Sequence, residues 1–331
     1  MRARLLALAL ITILALPGVA WAQSLGNPAD GSSFAISSSP QYPAPGSTAT
    51  LSFLSSALEL SRATISVSAN GKKIYQGSVQ SVPVTLGKAG SVTTITATVV
   101  SEGTNYNQTL TIQPQDVALV VEPISSAPVL YPGKPRVPLG GSARIVAMAN
   151  LRSSGGKLFD PATLSYAWTI DGTQIANSSG IGKRAIMVAA PLQYRSRTVS
   201  VTVMSADGNL VGGASLSLIP FEPSVRIYEN DPLLGVRFER ALSGNFAITG
   251  SESALYAAPF SLPTNKGTPR IQWFLNGAAA QTGSSITLRP AGSGQGNASL
   301  SLTASVGESS MATANLSLTF GGKPSTNFFG L

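Results

Sequence analysis

The feature that most restricts this chain is a strand-and-turn segment that occurs in three copies. They are Ile65-Ser66-Val67-Ser68-Ala69-Asn70-Gly71, Tyr166-Ala167-Trp168-Thr169-Ile170-Asp171-Gly172 and Ile271-Gln272-Trp273-Phe274-Leu275-Asn276-Gly277. Recurrence at roughly 100-residue spacing marks tandem units of one design. Asn-Gly and Asp-Gly suit type I′ hairpin turns, in which both central residues take positive φ. Some twenty residues further on, each copy is followed by an alternating run: Ile95 to Val99, Val199 to Val203 and Leu300 to Ala304. Apolar residues alternating with Ser and Thr predict a strand with one buried face.

Each unit closes and opens alike. Leu110-Thr111-Ile112, Leu216-Ser217-Leu218 and Leu316-Ser317-Leu318 form the closing strands. Phe34-Ala35-Ile36, Val117-Ala118-Leu119 and Val225-Arg226-Ile227 form the first strands, and Pro40, Pro123 and Pro232 follow them. Proline there predicts edge strands. Thr48–Phe53, Arg144–Met148 and Asn245–Thr249 are the expected second strands. Helical signal is confined to Ser55–Arg62, enough for a turn or two, and Ala291–Asn297 reads as a Gly-rich hairpin loop. Many short strands at regular spacing predict an all-β chain of sandwiches. Short proline-bearing joints, Gln113-Pro114-Gln115 and Pro220-Phe221-Glu222-Pro223, leave no room for a loose linker.

The first residues carry an address. Arg2 and Arg4 precede the apolar run Leu5–Leu16, then Pro17-Gly18, then Ala20-Trp21-Ala22. Charged, apolar and small-residue regions in that order make a secretory signal peptide. The run is shorter than the ~20 residues that span a bilayer. Cleavage after Ala22 would start the mature chain at Gln23, with no transmembrane segment in it. The expected organisation is therefore 1–22 signal peptide, 23–115, 116–220 and 221–320 as three domains, and 321–331 as a tail.

At the tryptophan-bearing repeat the pattern becomes specific. Leu164-Ser165-Tyr166-Ala167-Trp168-Thr169-Ile170-Asp171-Gly172 resembles the Tyr-x-Trp strand and Asp-Gly turn of PKD-like and other immunoglobulin-like domains. The resemblance implies three tandem immunoglobulin-like β-sandwich domains, with Trp168 and Trp273 in their cores. The first unit departs from it, with Val67 in the tryptophan register. Ser39–Ser47, Ser179–Lys183 and Tyr228–Gly235 also resemble segments of secreted tandem immunoglobulin-like proteins of candidate-phylum bacteria. That likeness implies an extracellular or cell-surface role beside envelope proteins or a type IV pilus system, and no established activity.

Composition removes most chemistry. The chain has no histidine and no cysteine, so Ser-His and Cys-His pairs, thiolates and most zinc sites are excluded. No disulfide can support an exported chain, so each domain must be held by packing. Asp171 and Asp207 precede glycines and read as turn residues. Glu229 with Asp231 is the closest local carboxylate pair and reads as a solvated strand end. Ser154-Gly155-Gly156-Lys157 matches Ser-x-x-Lys but sits in a Gly-rich loop with no Lys-Thr-Gly after it. A non-enzyme without cofactor or metal is expected.

Net charge is +8, and residues 116–220 hold nine basic against five acidic residues. Lys134, Arg136, Arg144, Arg152, Lys183, Arg184, Arg195 and Arg197 are the candidate anion contacts, for a wall polymer or glycan. Dispersed charge and no recognition module argue against nucleic acid. Tyr131, Tyr194, Tyr228 and Tyr256 lie outside the clear core positions and are candidate sugar platforms.

Overall fold

The computed structural model of the chain describes residues 34–129, 131–291 and 295–321. The expected signal peptide 1–22, residues 23–33, residues 292–294 of the expected Ala291–Asn297 loop and residues 322–331 of the expected tail lie outside them. The chain divides into two compact units, Met1–Gln113 and Pro114–Leu331.

The first unit has seven strands: β1 (Ala35–Ser39), β2 (Thr48–Leu54), β3 (Thr64–Ala69), β4 (Lys72–Ser78), β5 (Val82–Thr85), β6 (Thr93–Ser101) and β7 (Thr104–Ile112). They form a three-stranded sheet β1-β2-β5 and a four-stranded sheet β4-β3-β6-β7. Ile36, Leu51, Ile65, Val67, Ile95, Ala97 and Val99 fill the space between the sheets. The expected helix is one 3₁₀ turn, Leu60–Arg62. Ser55 bonds the amides of Ala57 and Leu58 and holds that stretch in a turn.

The second unit holds two more sandwiches. The middle one comprises β8 (Asp116–Pro123), β9 (Ser142–Asn150), β10 (Ser165–Ile170), β11 (Thr173–Gln174), β12 (Gly180–Ile181), β13 (Ala185–Ala189), β14 (Arg197–Met204) and β15 (Val211–Leu218). Sheet β8-β9-β13 faces a five-stranded sheet, β11-β10-β14-β15 with the two-residue β12 also paired to β10; β12 apart, this is the three-on-four order of the first unit. The last comprises β16 (Ser224–Asp231), β17 (Gly235–Val236), β18 (Asn245–Ile248), β19 (Ser253–Phe260), β20 (Arg270–Leu275), β21 (Ala278–Thr282), β22 (Ser285–Leu288), β23 (Gly296–Val306) and β24 (Ser310–Phe320). Its sheets are β17-β16-β19-β22 and β18-β24-β23-β20-β21. Sheets that are antiparallel except for β18 beside β24, each with one buried face and packed in this order, make immunoglobulin-like sandwiches in tandem.

The repeats of the sequence are repeats of structure. Trp168 and Trp273 are fully buried, as is Val67 in the same register. The two indole N–H groups donate to Lys183 O and Gly283 O, each at 2.9 Å. A buried indole needs such an acceptor. Asn70, Asp171 and Asn276 all have φ of 50°, and Gly71, Gly172 and Gly277 follow at 79°, 82° and 83°. The alternating runs on β6, β14 and β23 bury every second residue as expected.

Two strand assignments are corrected. The true second strand of the last sandwich is β19, antiparallel to β16 with Ser224 opposite Phe260. Asn245–Ile248 is a strand of the other sheet, parallel to β24. β16 is also not an edge: it lies between β17 and β19, and Pro232 occupies the turn after it.

Candidate functional site

The two sandwiches of the second unit meet at a closely bonded joint. Residues 124–141, between β8 and β9, form a loop too long for a simple connection, the kind that carries function or contact. Ser126 ties it to the last sandwich. Its N–H donates to Leu262 O (2.8 Å), its carbonyl accepts from Ser261 N (3.1 Å), and its hydroxyl oxygen accepts from Leu262 N (3.1 Å). Thr264 N donates to Ile124 O at 3.2 Å. The short connection is held as well: Phe221 N donates to Val137 O (2.8 Å) and Leu139 N to Phe221 O (2.9 Å). Gly141 packs so closely that a Cβ there would come 2.5 Å from Pro138 and 2.9 Å from Pro263. Buried backbone groups paired across a joint resist bending of that joint.

Aromatic rings continue the contact. Tyr131 of the loop meets Phe260 edge-on at 4.9 Å and Phe238 at 5.7 Å. Phe238 meets Tyr228 at 5.2 Å and Tyr256 at 6.2 Å. Edge-to-face pairs of this kind add roughly 0.5–1.5 kcal/mol beyond area burial. Tyr228, expected as a sugar platform, is instead buried, and burial raises its phenol pKa above the ordinary value. Tyr131 and Tyr256 are half-buried in the cluster; Tyr194 is 92% exposed.

Beside the cluster lies a cleft of about 170 Å³. Lys134, Arg136 and Arg226 line it, with Tyr131, Phe221 and Glu222. The Arg136 guanidinium sits 4.5 Å over the Phe221 ring, an orientation favoured by the ring quadrupole. Glu222 accepts a hydrogen bond from the Gln193 amide. Cations beside aromatic faces suit an anionic, partly apolar ligand.

The remaining candidate cations are distributed. Arg144 on β9 pairs with Glu122 of β8 at 2.6 Å. Arg197, half-buried at the start of β14, bonds Asp171 (3.1 Å) and Ala189 O (3.1 Å). Arg195 lies in the loop before it, exposed. Lys183 donates to Asn177 O at 2.8 Å, and Arg184 is its exposed neighbour. Arg152 follows the opposite end of β9, where its amide bonds Gln115 Oε1 at 2.7 Å. The structure thus gathers Lys134 and Arg136, adds Arg226 to them, and leaves the other six apart from that cleft. Arg226, Ser126, Phe238 and Phe260 were not singled out in the sequence. The proline-studded length of residues 124–141 was the signal available for that joint.

Asp207, expected at a turn, is at one, and Asp231, expected at a strand end, is the last residue of β16. Asp231 Oδ1 accepts from Leu233 N (2.8 Å) and Leu234 N (2.9 Å), bonds that hold its pKa below the ordinary aspartate value. Hydrogen bonds from Ser205 and Asn209 do the same for Asp207. Ser154–Lys157 is a hairpin loop closed by Ser153 N to Lys157 O at 3.0 Å. Among the described residues no group of three or more acidic side chains is placed to hold a metal ion, and no helix is long and apolar enough to cross a membrane.

No family model and no curated protein matches the chain. Solved structures do. It is similar to the three N-terminal domains of the bacteriophage RB49 Highly Immunogenic Outer Capsid protein, at 13% identity and TM-score 0.23, covering 87% of this chain and 98% of that one. It is similar to Sidekick-1 immunoglobulin domains 1–4 at 14% identity and TM-score 0.21, covering 87% and 74%. The central fibronectin-III array of RIM-binding protein matches at 9% identity and TM-score 0.30, covering 85% and 94%. The assignment as tandem immunoglobulin-like sandwiches stands on the strand order and cores described above.

Proposed function

We propose that the protein is a non-catalytic, secreted or cell-surface structural and interaction protein that joins envelope or type IV pilus assemblies. The observation that carries this reading is an apolar tip built to be presented. Leu233 and Leu234 are 93% and 75% exposed, and the Asp231 carboxylate fixes the turn that holds them out. Large apolar side chains held in water by an ordered turn suit contact with another protein. The signal-peptide pattern of residues 1–22 and the likeness of Ser39–Ser47, Ser179–Lys183 and Tyr228–Gly235 to segments of secreted bacterial proteins support the address.

The test is to tag the protein in its native cell, crosslink intact cells and identify what co-purifies from sheared-surface and wall fractions. Recovery with pilus or envelope proteins is expected, and Leu233→Asp with Leu234→Asp should reduce it. Recovery from the cytoplasm alone would overturn the reading.

A second reading is favoured by the cleft of Lys134, Arg136 and Arg226 beside Tyr131 and Phe221. It is a binding site for an anionic wall polymer or glycan. Retention of the purified protein on such a polymer, lost in Arg136→Ala and reduced by salt, would support it.

A further inference from the structure

The cleft at the joint of the second unit suits one chemical group better than a run of polymer. Its volume is about 170 Å³. Pockets that enclose a whole organic ligand run to about 300–1,000 Å³, so this one has room for a single substituent. The charges and donors at its walls say which.

Three cations line it against one carboxylate: Lys134 and Arg136 from the loop of residues 124–141, Arg226 from β16, and Glu222. None of the three cations is ion-paired with a carboxylate among the described residues. Glu222 is engaged by the Gln193 amide instead. The fold sets each cation in place. Gly133 passes so close to Tyr131 that a Cβ there would come 2.2 Å from the ring, and Lys134 follows directly. The Arg136 carbonyl accepts from the Ser125 hydroxyl at 2.8 Å, and its guanidinium lies over Phe221. Stacked in that way, the guanidinium keeps its N–H edges for a ligand. Arg226 stands on the outer face of β16, because its neighbours Val225 and Ile227 face the core.

Two serines at the cleft are almost wholly buried. The Ser126 hydroxyl oxygen accepts from Leu262 N, so its own proton is left to donate. Ser261 is 5% exposed and holds φ at 57°. Glycine takes that conformation freely, and a residue with a Cβ is strained in it. What serine adds there is a hydroxymethyl group, and its hydroxyl has no hydrogen-bond partner among the described residues.

We infer that the cleft binds a phosphate monoester. The inference rests on the second reading above, that this cleft takes an anionic ligand, and it names the group recognised. A monoester carries about −1.5 to −2 charge at pH 7 and three strong acceptor oxygens. The cleft has a surplus of two positive charges. Its donors reach in from three separate segments, the loop, β16 and the end of β19, as a tetrahedral group requires. A carboxylate brings one charge and two oxygens in a plane, and would leave a cation and a buried hydroxyl unanswered. Guanidinium forks bind phosphate oxygens in pairs.

The test is calorimetric titration of the full chain with four probes at one ionic strength: glucose 1-phosphate, its methyl diester, glucuronate and inorganic phosphate. Glucose 1-phosphate should bind one to one and weaken as salt is raised. The diester and glucuronate should bind about tenfold more weakly, or not at all. Arg226→Ala should lower the affinity for glucose 1-phosphate about tenfold. Lys72→Ala, the same change of charge in the first unit, should leave it as it was. Ser261→Gly separates the site from the scaffold: it relieves strain as it removes the hydroxyl. Its melting temperature should hold or rise while affinity falls about three- to tenfold. The assignment is overturned if glucuronate or the diester binds as tightly, if Arg226→Ala has no effect, or if inorganic phosphate binds and the sugar phosphate does not. Retention on a phosphate-free anionic polymer alongside any of those results would leave the polymer reading standing. Sugar-phosphate binding without retention on any polymer would sink that reading and leave the monoester site intact.

Discussion

Asn70, Asp171 and Asn276 each do more than permit a tight turn. Their backbone N–H groups donate to Thr94 O, Thr198 O and Ser299 O at 2.8, 2.9 and 2.8 Å. Their side-chain Oδ1 atoms accept from Thr94 N, Thr198 N and Ser299 N at 2.8, 2.8 and 2.9 Å. One residue thereby clasps the hairpin to the next core strand in every sandwich. Asp171→Ala loses the acceptor and places a Cβ residue at positive φ without compensation, so it should cost about 1–3 kcal/mol in denaturant unfolding. Asp171→Asn keeps the acceptor and loses the part-exposed pair with Arg197, and should stay within about 1 kcal/mol of the parent. Equal losses for the two would refute the clasp. Asp231 gives a pH expectation. Its folded pKa is depressed by the amides of Leu234 and Leu233, so the stability it contributes is present above its unfolded pKa and is lost as pH falls through the folded one. The amide resonances of Leu233 and Leu234 should therefore hold their positions below the pH where ordinary aspartates titrate, and then move together.

At the scale of the element, a strand is easier to find than to pair. Asn245–Thr249 reads as a core strand because Phe246 and Ile248 alternate with small or polar residues, and they do face a core. Alternation reports which face is buried and is silent about which neighbour is bonded. β19 was passed over because Leu255, Ala257 and Ala258 are buried in broken alternation and Pro259 follows. The asparagine and aspartate turns, the tryptophans and the alternating runs were legible because each depends on chemistry local in sequence. The strand β18 should be a measurable clamp. Ile248→Ala should destabilise by about 2–5 kcal/mol and speed amide exchange along β18 ahead of β23. Exchange that stays uniform across the sheet would mean β18 contributes no separate closure.

At the scale of the molecule, the chain is two units but three sandwiches. Pro114–Leu331 should melt as one block because the Ser126 bonds and the Tyr131 rings cross its internal joint. Calorimetry should therefore show two transitions, one for each unit. Ser126→Ala leaves Leu262 N without the hydroxyl acceptor it has in the buried joint, at about 1–3 kcal/mol, and should broaden or split the transition of the larger unit. Three transitions in the parent would show the joint to be weak. The joint cleft was not legible in the sequence. Its residues come from separate stretches around Tyr131, Phe221, Arg226 and Phe260 that have no common pattern, and the fold alone brings them together. Of the eight cations read from the middle segment, Lys134 and Arg136 reach that cleft.

The triple clasp also bears on how the protein ages. Asn-Gly is the pair most open to deamidation, in which the glycine nitrogen attacks the asparagine side-chain carbonyl, ammonia leaves, and the ring hydrolyses to aspartate or isoaspartate. Asn70-Gly71 and Asn276-Gly277 are such pairs. The middle sandwich already carries the ordinary product of that reaction: Asp171 accepts from Thr198 N as Asn70 accepts from Thr94 N. Conversion to aspartate should therefore pass without loss of structure. Isoaspartate lengthens the backbone by one carbon and would pull the clasp open, so old molecules should fail first at the outer two turns and last at the middle one.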